Sequence, residues 1–214
     1  MYTEFLTQHV PEETARMILM FPIIVTLIAF IRQVIGIKAF GIYTPSLITF
    51  AFLAMGESGA KYGIAIFVSV IFVGMVTRLI LKKFRLLYFP RVAINLSIVA
   101  FSILGLLVVG DYYHRTGLAS VSIFPILIMI SIVEKFVAAQ IKEDSKAAVM
   151  LAGETLVISL IGFYIASWDK MEYAVMTYPW IVLIVLSFNI FLGKWTGLRL
   201  GEYLRFKKIL KKIN

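Results

Sequence analysis

Two charged residues interrupt otherwise apolar runs, Arg32 and Glu154. A carboxylate in a low-dielectric setting either takes up a proton or seeks a cation. An arginine keeps its charge and must find an anion, a carbonyl or water. Further charges stand at the ends of apolar runs: Arg91, Glu134, Arg199 and Glu202, with Asn95 one helical turn beyond Arg91. Arg32 shortly precedes Lys38, and Glu154 follows Lys146 by about two turns, so all six charges are expected at similar depth near one membrane face. They either fix helix packing as paired or snorkelling groups, or line a polar vestibule open to the cytoplasm. The pairing expected is Glu154 with Arg32 or Arg91, while Glu134 takes the other arginine or faces water.

Proline steps form a second pattern: Tyr43-Thr44-Pro45, Phe89-Pro90, Phe124-Pro125 and Tyr178-Pro179. Proline lacks the N–H that a helix interior needs, and a neighbouring hydroxyl can satisfy the carbonyl it frees. Thr44, Pro45, Ser46, Phe124 and Pro125 are therefore expected as helix interruptions, in corresponding places of two oppositely inserted halves. Transporter sites often lie at such breaks in inverted repeats. The alternative is that these prolines sit in first turns, where they are tolerated.

Known catalytic patterns are missing. The sequence has no HExxH, GxSxG or phosphate-loop motif, and no cysteine for a thiolate site. His9 and His114 are far apart in sequence. No catalytic residue, metal site or cofactor is assigned, and an enzyme is the weaker expectation.

The elements that must hold these residues are membrane helices. Of 214 residues 61% are hydrophobic, and the mean hydropathy is +0.94. This is more apolar surface than one aqueous core can hide. Seven apolar segments are legible: 17–37, 39–56, 62–77, 92–110, 116–133, 147–168 and 173–193. Their continuous character predicts helices rather than the alternating strands of a barrel. The expected fold is all-α: a lead-in over 1–16, a seven-helix membrane domain over 17–193, and a basic tail over 194–214. Apart from Arg16, Lys61, Arg115 and Lys170, every one of the 21 Lys and Arg residues falls to one side of this arrangement. The bias predicts an outside N-terminus and a cytoplasmic C-terminus, in a multi-pass protein of the cell inner membrane. In the tail, Phe206, Ile209, Leu210 and Ile213 share a helical face. Arg205, Lys207, Lys208, Lys211 and Lys212 would bind the anionic inner leaflet, or the tail would dock a cytoplasmic partner. Nucleic acid is not expected, because topology accounts for the basic residues.

Four stretches carry a resemblance: RQVIGIKAFGIYTPSLITFAF from Arg32, LLYFPRVAINL from Leu86, SIFPILIMISIVEKF from Ser122, and GKWTGLRLGEYLRF from Gly193. In this order the chain resembles the seven-helix membrane domain usually fused to an inactive transglutaminase domain. The resemblance marks Pro45, Pro90, Arg91, Pro125, Glu134, Arg199 and Glu202. It implies association with ATP-grasp ligases of the glutamate-ligase type and with retropepsin-like proteases. The function it implies is a non-enzymatic scaffold or conduit in a peptide or polyglutamate modification system. The 16-residue lead-in leaves no room for the transglutaminase-like domain, so a separate outer chain is expected to supply it. The rival expectation is a small secondary transporter or ion-coupled exporter with its site between Pro45 and Pro125.

Overall fold

The computed structural model describes residues 11–56, 58–84, 86–112 and 122–194. Helices joined by short turns account for them, with no strand among the described residues. Helix α1, Glu12–Phe30, runs directly into a π-helix, Ile31–Ile35. Then come α2 (Tyr43–Ala54), α3 (Gly59–Leu81), α4 (Tyr88–Tyr112), α5 (Ile123–Lys142) and α6 (Ser145–Ala166). Two shorter helices follow, α7 (Asp169–Thr177) and α8 (Ile181–Gly193).

Five of these are long and apolar enough to cross a bilayer: α1 with its π-helix, α3, α4, α5 and α6. Helices α7 and α8 make a sixth crossing if counted as one span, yet they meet at 103°. The chain is thus an all-helical, multi-pass membrane protein, but two of the seven expected segments are not simple spans. The second, expected over 39–56, is helical only over the 12 residues of α2, about 18 Å. Gly36 ends the π-helix at φ 90°, and Gly41 has φ 76°, a region side-chain-bearing residues avoid. Between them the chain is irregular. The seventh segment, expected over 173–193, breaks at Tyr178-Pro179-Trp180, because Pro179 holds its predecessor out of the helix, with Tyr178 at φ −126° and ψ 72°. The fifth does not stop at Glu134. It continues as α5 to Lys142, and Glu134 and Lys135 stand exposed within it.

The short helix α2 is the centre of the bundle. It buries Thr44, Pro45, Ser46, Ile48, Thr49, Ala51 and Phe52, and packs on α1, α3, α5 and α6. Phe52 is fully buried and meets Phe163 edge-on at 6.1 Å. The α2–α6 seam is close because Gly162 has no side chain: a Cβ there would lie 2.7 Å from Thr49 Oγ1. Pairing of α2 with α6 and of α3 with α5 fits the exchange an inverted repeat requires. The outer helices do not follow it, since α4 packs on α3 and α5 while α7 and α8 pack on α1.

Candidate functional site

The irregular chain over 36–42 connects the π-helix to α2. A non-helical stretch cannot satisfy its own backbone, and within a membrane water is not there to help. Helix α6 supplies the partners. Glu154 Oε2 accepts from the Lys38 N–H at 3.0 Å, and Thr155 Oγ1 accepts from the Phe40 N–H at 3.1 Å. Thr155 in turn donates to Leu151 O at 2.7 Å, and Ser159 donates to Thr155 O at 2.8 Å. Thr49 of α2 completes the seam with Ser159 O at 3.0 Å and Pro45 O at 2.9 Å. Thr155, Ser159, Thr49 and Ser46 are wholly buried.

The carboxylate of Glu154 therefore pairs with no described arginine, neither Arg32 nor Arg91. Among the described residues its partner is a backbone amide, and the described ion pair is Arg16–Glu172 at 2.8 Å. Arg32 sits in the π-helix with its Nε buried and without an acceptor among the described residues. Arg91 lies elsewhere, in the first turn of α4, and donates through Nη2 to Leu86 O at 2.9 Å. Its charged neighbour is Arg78 of α3, which also feels Asp144 and donates to Gln140 O at 2.7 Å. Asn95 is buried one turn above Arg91 and donates to Gly74 O at 3.3 Å, its Oδ1 having no partner among the described residues. Glu134 is exposed on α5. The expected single cluster is thus two groups, one at the break beside α2 and one between α3, α4 and α5. Arg199, Glu202 and the basic tail residues Arg205, Lys207, Lys208, Lys211 and Lys212 lie outside the described residues.

Of the four proline steps, three open helices rather than interrupt them, and Pro179 alone breaks a segment. Pro45, Pro90 and Pro125 each occupy the third residue of their helix, where the missing N–H costs nothing. Thr44 and Phe124 lie in the same first turns, and the Ser46 hydroxyl donates to Ile42 O at 2.8 Å. The proline inside a described helix is Pro22 of α1. Thr26 donates to Pro22 O at 2.7 Å and accepts from Asn189 Nδ2 of α8 at 2.6 Å. Sequence reasoning passed over Pro22, Thr26, Thr155, Gln140 and Asn189. Pro22 lay in plain sight within a long apolar run, whereas the others required knowledge of which helices face one another.

Two cavities lie at the two ends of α2, both against α1. One, of about 320 Å³, has an apolar floor of Met20, Phe50, Leu53 and Phe163 and a charged rim of Arg16, Asp169 and Glu172. The other, of about 340 Å³, is lined by Ala29, Arg32, Gln33, Ile42, Asn189, Leu192 and Gly193. From Met20 to Ala29 the helix rises roughly 13 Å. That interval is filled by buried Ile23, Ile24 and Ile28, with Ile158 of α6 packed against Ile24 and Ile28 and Val175 of α7 against Ile23. The Thr26–Asn189 hydrogen bond is a polar step inside this apolar layer.

A family model described as seven transmembrane helices usually fused to an inactive transglutaminase matches residues 5–210. The chain belongs to that family. No curated protein and no solved structure matches it. The match takes in both groups of charges and both cavities, so these are features of the membrane domain itself.

Proposed function

We propose that the chain is a non-enzymatic membrane conduit and scaffold, working with an ATP-grasp ligase of the glutamate-ligase type in peptide or polyglutamate modification. The observation that carries the conduit reading is the pair of cavities at opposite ends of the short helix α2, separated by one apolar layer. Discontinuous helices flanking such a layer are how membrane conduits place backbone and side-chain polarity at depth. The ligase follows from the resemblance, and the basic side of the bundle suits an acidic product. That side is the cytoplasmic face of the inner membrane in this reading, with the N-terminus outside and the tail on anionic lipid. The family's usual fusion partner supports a transglutaminase-like chain as the outer partner. Purification in mild detergent from native membranes, with quantitative identification of co-purifying chains, tests the partnership. An ATP-grasp ligase enriched over a control membrane protein is expected, and its absence would remove the scaffold part.

The second reading is a small secondary transporter or ion-coupled exporter, favoured by the break over 36–42 and the 103° elbow between α7 and α8. Flux across proteoliposomes that depends on a proton or sodium gradient, with no ligase present, would favour it.

Orientation has its own test. Reporter fusions after Asn214 are expected to be active only as cytoplasmic reporters, and fusions between Asp111 and Arg115 only as external ones. The opposite pattern would invert the assignment of both cavities.

A further inference from the structure

We propose that the cavity beside the π-helix is an oxyanion site, in which Arg32 holds a carboxylate or phosphate group that arrives from the basic side. The cavity, about 340 Å³, is within the size range of small-ligand sites. Among the described residues its lining includes one cation, Arg32, and no acid. Arginine cannot shed its proton, so a partly buried guanidinium needs an anionic or strongly dipolar partner. Glu154 does not fill that role, because its described bond goes to the Lys38 amide. The Arg32 Nε–H is buried and has no acceptor among the described residues.

Local geometry puts Arg32 there. A regular helix would continue the 3.6-residue register of α1, but the chain widens into five π-helical residues that bear Arg32 and Gln33. Such segments are rare and frequently mark functional sites. Asn189 forms the opposite wall, held by its bonds to Thr26 Oγ1 and Val185 O. With its Nδ2 committed to those two acceptors, Asn189 leaves the anion to Arg32, the described cation of the lining. Ile42, at the start of α2, closes a third side.

The site deepens the conduit reading by naming its cargo as an oxyanion, carboxylate or phosphate, and it rests on that reading only in the choice of a glutamyl probe. Two sources share the chemistry, a lipid headgroup and a soluble anion, and the test separates them. The full chain is placed in nanodiscs of phosphatidylcholine and titrated with inorganic phosphate and with triglutamate. A parallel preparation includes phosphatidylglycerol. Expected is saturable binding of a soluble probe, or its competition by phosphatidylglycerol if the headgroup is the occupant. Arg32→Gln should weaken binding tenfold or more, while Arg32→Lys, which keeps the charge but not the fork, should lose less. Ile42→Trp fills the cavity without touching the charge and should also exclude the probe. Equal binding by the wild type, Arg32→Gln and Ile42→Trp would overturn the site, as would no effect of any of the three anions on the wild type. Ligase co-purification plays no part in this assay, so the partnership and the site fail separately.

Discussion

Replacement of Gly59 by alanine is expected to destabilise the protein by about 3 kcal/mol, among the largest effects of any single added methyl. Gly59 begins α3 just after the turn that leaves α2. A Cβ there would run into the carbonyl of Phe52, which is backbone and cannot rotate away. Gly63, one turn on, would press its Cβ onto the Phe52 ring. The ring is fully buried and set edge-on against Phe163, so it can yield only by disturbing the centre of the bundle. Gly63→Ala should therefore cost somewhat less than Gly59→Ala but still more than about 1 kcal/mol. Gly105 and Gly153 are the contrast, since nothing lies within 4 Å of a Cβ at either. Alanine there should be neutral, or stabilising by up to about 1 kcal/mol from helix propensity. Unfolding in mixed detergent micelles with increasing denaturing detergent ranks the four variants. A Gly59→Ala variant as stable as Gly105→Ala would mean that the α2–α3 approach is looser than described.

The same region shows what the sequence could and could not disclose. Long apolar runs with charged ends determined α3, α4 and α6 to within a few residues, because a bilayer dictates both the length and the composition of a span. Runs do not reveal where an apolar chain stops being helical. Residues 37–42 are as apolar as their surroundings apart from Lys38, and their irregular path depends on side chains more than a hundred residues away, Glu154 and Thr155. Arg32 and Glu154 were legible as anomalies in their own runs, expected at similar depth, but the break beside them was not. Nor was the nature of their partners. A charge pair is the obvious complement when two opposite charges share a depth, and a backbone amide leaves no trace in a sequence. Prolines misled for a related reason: the third residue of a helix and a mid-span break look alike when only the apolar run is visible.

The partner of Glu154 sets the last expectation, which concerns the two side chains that hold the break. Thr155 is wholly buried, and its hydroxyl is the acceptor for the Phe40 N–H. Thr155→Val keeps the shape and removes that acceptor, so a buried amide is left unpaired at a cost of about 2 kcal/mol. Glu154 serves the more exposed Lys38 N–H, so Glu154→Ala should cost less, about 1 kcal/mol. Glu154→Gln retains a carbonyl oxygen in the same place and should be close to neutral. An ion pair with Arg32 would behave differently: Glu154→Gln would strand the guanidinium, and Arg32→Gln would then rescue it. For the described geometry, the Arg32→Gln and Glu154→Gln changes should add within about 0.5 kcal/mol. Amide exchange at Phe40 and Lys38 supplies a local readout, with Thr155→Val accelerating the first and Glu154→Ala the second. Strong coupling between Arg32 and Glu154, with no change in exchange at Lys38, would restore the ion pair and remove the clamp on 36–42 as the role of this carboxylate.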